Sequence, residues 1–400
     1  MKKMKLPKKL LLSSATFFVL FSLTFINSVG ASPVMWSQTY EIISFGSAYS
    51  LVETSDGGYA IAGESGLDSD FCLLKTDEWG NMQWTKTYGG TKDDRALSVV
   101  ETSDGGYALA GYTESFGAGS FDFWLVKTDV NGSMQWNRTY GGSNLEKAYS
   151  LIKTSDGGYA IAGYTQSSGA RGNDFWVVKT DSNGNMVWNQ TYGRKDDEFA
   201  YSVVEASDGG YVVAGGSWLV KIDSQGRTEW DQTYSSYFAR SVVTTSDGGY
   251  AIFGDGLLIK TDEYGYMIWN QTYGGNVLKG YSGSFVATSD GGYAFVIGSR
   301  LIKTDAQGNV EWSQTYEMER ATSRGLLSLV ETSDGGYVLV GHVWLMMSGD
   351  TFIWAVKTDA QGIIPEFPSW IILPLFLTST LVIVIFRKRL KKGVKSGNYL

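Results

Sequence analysis

The chain has one cysteine, one histidine and five prolines in 400 residues. A lone Cys72 allows no intramolecular disulfide, so the fold must rest on a packed core, and a chain of this length can bury enough apolar surface for that. One histidine, His342, with one cysteine excludes a zinc cluster and a Cys-His catalytic pair. His342 stands beside apolar Val340 and Val343 and reads as structural or incidental. No Gly-x-Ser-x-Gly stands before a helix to act as a nucleophile elbow. No proline lies between Pro33 and Pro365, as ladders of paired strands require. Helical periodicity is also missing from that whole stretch.

Repetition fills it instead. Ser-Asp-Gly-Gly-Tyr begins at Ser55, Ser103, Ser155, Ser207, Ser246, Ser289 and Ser333. Trp-x-x-Thr-Tyr begins at Trp36, Trp84, Trp136, Trp188, Trp230, Trp269 and Trp312, and Lys-(Thr/Ile)-Asp at Lys75, Lys127, Lys179, Lys221, Lys260, Lys303 and Lys357. Three motifs in fixed order at this spacing mean one supersecondary unit repeated around an array. Within a unit, Ala96–Thr102 and Gly106–Gly111 are short β runs around Asp104-Gly105-Gly106, a turn that supplies positive φ. Phe123–Thr128 and Met134–Tyr140 follow, joined by a second turn. Each unit is thus a four-stranded antiparallel meander, with strands a to d. The chain is predicted to be all-β, a seven-bladed β-propeller.

The ends complement each other. Met35–Tyr40 is a d strand with no a, b or c before it. The last unit has a, b and c, but Ile364-Pro365-Glu366 stands where its d strand should begin. The first strand is therefore expected to complete the seventh blade, which also hides edges open to aggregation.

The flanks carry targeting signals. Lys2, Lys3, Lys5, Lys8 and Lys9 precede an apolar run and Val29-Gly30-Ala31, which reads as a signal peptide over residues 1–31. Residues 32–362 form the propeller ectodomain, and 363–369 a linker. Trp370–Phe386 is an uncharged transmembrane run, followed by a basic cytoplasmic tail over 387–400. The expected location is the cell membrane, single-pass, with the propeller outside. The leader holds five basic residues and the tail six. The remaining 22 face all 41 acids, so the exposed part carries a formal charge of −19. Such a surface will not hold nucleic acid through its phosphates.

Repeats reading Trp-x-x-Thr-Tyr-Gly-Gly, Thr-Ser-Asp-Gly-Gly-Tyr and Lys-Thr-Asp-x-x-Gly-x-x-x-Trp resemble those of uncharacterised propeller-repeat surface proteins of archaea and some bacteria, which lend no reaction. Pro365-Glu366-Phe367 with the apolar run and basic end resembles PEF-type C-terminal sorting signals, implying exchange for a lipid anchor as the alternative to a retained helix. Asp129–Trp136 is loosely similar to the tryptophan-docking motif of quinoprotein propellers and to the Asp-box of sialidases. Its spacing differs from both, and neither family's catalytic residues can be placed here.

The motifs themselves read as structural. The Asp of Ser-Asp-Gly-Gly-Tyr accepts backbone N–H groups in its turn, the strand-d Trp packs between blades, and Lys-Thr-Asp is a strand end and turn. Sequons at Asn131, Asn137, Asn189 and Asn270 are candidate glycosylation sites.

Irregularity is confined to loops on one face. The b–c loops are minimal in blades 4, 5 and 6 (Gly215-Gly216-Ser217, Gly254-Asp255-Gly256, Gly298-Ser299-Arg300). They are long in blades 7, 1, 2 and 3 (His342–Thr351, Glu64–Asp70, Tyr112–Asp122, Tyr164–Asp174), which are neighbours in a closed ring. Variable loops on a rigid scaffold are where binding sits. Candidate ligand contacts are Tyr112, Phe116, Phe121, Tyr164 and Trp344. Asp70, Asp122, Asp174 and Asp350 are candidate hydrogen-bond acceptors or Ca²⁺ ligands, and equally loop-ending residues. No other cofactor is expected. The expected function is non-catalytic binding at the cell surface, toward an envelope protein or polysaccharide, by a monomeric ectodomain. The alternatives are an extracellular propeller enzyme and a structural envelope subunit.

Overall fold

The computed structural model describes residues 35–364 except 42–45, 67–68, 170–171, 195, 235–237, 275–281, 318–320 and 346–350. The signal-peptide, linker-motif, transmembrane and tail assignments fall outside these residues, as does Asp350. Among the described residues no helix is long and apolar enough to cross a membrane.

The described chain is all-β. It forms seven four-stranded antiparallel sheets, each a meander in sequence order except the last. Blade 2 shows the plan: a is Asp94–Glu101, b Tyr107–Thr113, c Asp122–Thr128 and d Met134–Tyr140. Strands a and b start or end further out than the β-branched runs alone suggest, because Asp94 pairs with Thr113 and the ladder continues to the loop. In blade 7 the d strand is Trp36–Tyr40, in register with Thr351–Thr358 from Trp36 opposite Lys357 to Tyr40 opposite Ile353. The a strands pack side by side around the ring, and that of blade 7 (Ala321–Glu331) meets that of blade 1 (Ser47–Glu53), so the ring closes.

Each motif works across the blade boundary. The strand-d Trp of one blade meets the Ser-Asp-Gly-Gly-Tyr tyrosine of the next with ring centroids 5.7–6.3 Å apart. The strand-d Tyr donates its hydroxyl to the c–d turn glycine carbonyl of the next blade at 2.6–2.8 Å. That glycine has no alternative: at Gly132, with φ +73°, a Cβ would sit 2.7 Å from the Trp84 ring. Apolar clusters fill the same seams, as where Phe123 of blade 2 packs on Trp176 of blade 3.

Lys-(Thr/Ile)-Asp proves to be more than a strand end. In all seven blades its lysine is buried and its Nζ lies 2.6–2.9 Å from the aspartate of Ser-Asp-Gly-Gly-Tyr on the adjacent a–b turn. In blade 2 that aspartate, Asp104, also accepts from the Thr102 hydroxyl and the Gly106 N–H. The turn aspartate is therefore a hub for backbone, hydroxyl and ammonium donors.

Candidate functional site

A β-bulge in strand a decides what faces the channel. The ladder slips between Ala48 and Ser50, Ala96 and Ser98, Ala148 and Ser150, and Leu326 and Ser328. An extra residue on one strand re-aims its side chain, and the re-aimed residues are Tyr49, Leu97, Tyr149 and Leu327. The strand-b glycine opposite lets the bulged backbone come close; at Gly163 a Cβ would lie 2.0 Å from the Lys147 carbonyl oxygen.

The serine after each of these positions does a second job. Ser50, Ser98, Ser150, Ser202 and Ser328 accept, through Oγ, the a-strand N–H of Val99, Leu151, Val203, Val242 and Leu51 at 3.1–3.2 Å. Each acceptor serves the neighbouring blade, so a belt of hydroxyls caps the inner strand edges.

Above this belt lies a cavity of about 710 Å³. Its wall includes Tyr49, Tyr149, Tyr201, Arg240 and His342 together with the serines, and no Asp or Glu among the described residues. Being formed by the d–a end of the a strands, the cavity opens toward the face that carries the b–c loops. A hollow of about 650 Å³ between blades 5 and 6 is lined by Asp247, Lys260, Trp269 and Tyr293. Those residue types recur in every blade, so that hollow reflects the repeat, whereas the channel wall changes from blade to blade.

Electrostatics divide the wall. The Tyr49 hydroxyl donates to Glu64 Oε1 at 2.8 Å, and Arg95 Nε lies 2.6 Å from Glu64 Oε2. Burial and then the Glu64 carboxylate push the Tyr49 pKa up. Burial works against the Arg95 charge, but Glu64 prevails and holds its pKa above the usual range. Arg240 lies over Tyr201 at 4.6 Å and Phe238 at 4.7 Å, and its buried Nε has no hydrogen-bond partner among the described residues. His342 Nδ1 is likewise buried without one, and desolvation lowers its pKa, so the ring is neutral at neutral pH. Tyr149 joins Tyr164 and Tyr201, with centroids 5.9 and 5.0 Å away, in an aromatic arc along blades 3 and 4.

The lip anticipated from loop lengths is present in blades 1 to 3, and it is stitched to the d–a loops. Ser120 N–H donates to the Asn144 carbonyl and Glu146 N–H to the Phe121 carbonyl. Tyr112 and Tyr164 are buried, and burial pushes both phenols up to about 12. Tyr112 meets Phe121 edge-on at 5.2 Å, and Lys147 Nζ lies 4.2 Å from both rings. Phe116 and Trp344 are exposed, at 42 % and 39 %. Asp122 and Asp174 are buried at 1 %. Asp122 Oδ2 accepts the Ala118 and Gly119 N–H groups of its own loop, and its pKa is raised by burial, with nearby Glu146 adding to the effect. Asp70 occupies the corresponding strand start in blade 1. No cluster of three or more His, Cys, Asp or Glu suited to a metal ion occurs among the described residues.

Asn131, Asn137, Asn189 and Asn270 are all exposed, three on outer d strands and Asn131 in a c–d turn. The Asn137 and Asn189 side-chain oxygens accept from the strand-c indoles of Trp124 and Trp176.

No family model matches the chain, and no curated protein does. Solved structures share only the fold. Sqt1 from Chaetomium thermophilum is 12 % identical, with 84 % of this chain and 89 % of that one covered and a TM-score of 0.51. The extracellular domain of the one-component system BT4673 from B. thetaiotaomicron is 13 % identical, with 83 % of this chain and 43 % of that one covered, at 0.50. YCF48 bound to D1 peptide is 12 % identical, with 83 % and 97 % covered, at 0.49.

The bulge residues and the serine belt escape the motif reading. Their signal was a serine recurring in one register, in Tyr49-Ser50, Leu97-Ser98, Tyr149-Ser150, Tyr201-Ser202, Arg240-Ser241 and Leu327-Ser328, always after a residue that varies.

Proposed function

We propose that this chain is a non-catalytic surface-displayed binding protein, and that its ligand enters the channel mouth under the b–c lip. The observation that carries the reading is the break in uniformity. Six interlocking motif positions repeat around the ring and are consumed by packing, whereas the channel wall presents Tyr49, Leu97, Tyr149, Tyr201, Arg240 and Leu327 at equivalent places. A stiff ring with one chemically individual concavity is suited to recognition. The leader at 1–31 and the apolar run at 370–386 support display outside the membrane, toward a cell-envelope component.

The test compares the chain with a variant whose b–c loops in blades 7, 1, 2 and 3 are cut to the length of blade 5, and with Tyr149→Ala/Tyr201→Ala. Both should fold, and both should lose crosslinking to native envelope material that the parent captures. Undiminished capture by both places the partner on the turn face or outer rim. Turnover of a polysaccharide, abolished by one carboxylate change, would make the protein an enzyme.

A further inference from the structure

We infer that the channel mouth takes a small hydroxylated carboxylate, a sugar acid of uronate type, with its carboxylate on Arg240. The inference rests on the binding reading above and names the ligand chemistry. Four observations carry it.

First, the propeller region is strongly acidic, yet the cavity wall holds an arginine and, among the described residues, no carboxylate. A cation kept clear of acids inside an acidic molecule is an unmet demand for an anion. The nearby carboxylate Glu64 is already engaged by Arg95 and Tyr49.

Second, Arg240 is pre-positioned. Its guanidinium rests against Tyr201 and Phe238, and its Nε is buried with no partner among the described residues. A buried donor left unsatisfied costs free energy that an incoming acceptor restores. A planar fork resting against two rings can offer a carboxylate two parallel hydrogen bonds.

Third, the rest of the wall supplies hydroxyls. Ser50, Ser202 and Ser328 accept backbone N–H through Oγ, which leaves their O–H protons to donate, whereas Ser98 turns its own to the Leu151 carbonyl. Tyr149 and Tyr201 add aromatic surface, and His342 adds a ring nitrogen with no partner among the described residues. Hydroxyl groups of a sugar both donate and accept, and so can meet this mixture.

Fourth, the same belt argues against an extended peptide. Strand addition needs a free strand edge, and the inner edges of the a strands are capped by the neighbouring blade's serines at five boundaries.

The experiment is calorimetry on the full chain with glucuronate, with glucose as the neutral counterpart and a short peptide bearing a free C-terminus. Glucuronate should bind and glucose should bind at least about ten-fold more weakly, a loss on the scale of a charge-assisted pair. Arg240→Gln should weaken glucuronate by a similar factor. Arg240→Lys keeps the charge without the fork, so it should fall between, and it serves if Arg240→Gln does not fold. Equal binding of glucuronate and glucose, unchanged affinity in the folded variants, or preference for the peptide overturns the proposal. If envelope capture depends on the b–c loops while glucuronate does not bind, the carboxylate assignment fails and the binding reading stands.

Discussion

Lys179 Nζ lies 2.8 Å from Asp156 Oδ2, yet the lysine side chain is 4 % exposed and its partner's 63 %. The pair is lopsided, and six others are built like it. Loss of the aspartate leaves a buried ammonium with the Thr180 carbonyl but no counter-charge, whereas loss of the lysine leaves a carboxylate that water can reach. Asp156→Ala should therefore cost about 2–3 kcal/mol, the range for a lost hydrogen bond to a buried charged group. Lys179→Met should cost less, about 1–2 kcal/mol, since the methionine fills the slot and only a solvent-screened pair is lost. Urea titration of both variants checks the order, and equal losses would contradict it.

The same aspartates set an acid limit. The Thr102 hydroxyl, then Lys127 and the Gly106 N–H, pull Asp104 down to about 2. In Asp156, Asp247 and Asp290 partial desolvation acts upward, but the lysine and threonine bonds outweigh it and leave each at about 2. A carboxyl depressed in the folded state adds stability above its unfolded value of 3.8, and that stability is lost as pH falls toward 2. Asp122 and Glu198 are raised by burial and act in the opposite sense, but they are outnumbered. The melting temperature should hold from pH 7 to about 4 and then drop steeply, less so in a variant carrying Asp104→Asn, Asp156→Asn and Asp247→Asn.

Closure depends on one short strand. Trp36 covers Gly80, packs edge-on against Tyr59 at 5.8 Å and donates its indole N–H to the Glu78 carbonyl. Trp36→Ala should cost about 3–5 kcal/mol, as for other buried large-to-small changes. Deletion of residues 35–40 should abolish cooperative unfolding, read as a broad transition in calorimetry.

Two glycine substitutions separate the turn from the bulge. Gly157→Ala meets no atom within 4 Å but sits at φ +86°, so its cost is conformational, about 1 kcal/mol. Gly163→Ala drives a Cβ into the Lys147 carbonyl, which the bulge cannot yield without moving Tyr149. It should lose about 1–3 kcal/mol or more and weaken ligand capture, whereas Gly157→Ala should leave capture intact.

The blade count and the closing strand were legible because each depends on local pattern. Asp104-Gly105-Gly106 announces its hairpin, and the unmatched Met35–Tyr40 announces its vacancy. The roles of Lys127 and Ser98 were not. Lysine in a strand alternation reads as solvent-facing, and only the sheet brings its Nζ to an aspartate 23 residues away. The bulge is a property of two paired strands, so no single run of residues shows that Tyr149 is turned inward. Tyr112 and Tyr164 read as candidate ligand contacts because each begins a long b–c loop. The structure gives their ring faces to Lys147, Phe121 and Tyr149 instead.

Blade 7 is sewn from both ends of the described chain, and this fixes an orientation. Trp36 enters opposite Lys357, at the end of the sheet away from the b–c loop, and the chain departs just past the Asp359–Ile363 turn at that same end. Any tether joined to either side therefore pulls on the edge opposite the channel mouth. Held by such a stalk, the ring would present its cavity outward, with the load borne by the eight-residue and five-residue strands of one blade in shear rather than by the wall that meets the ligand.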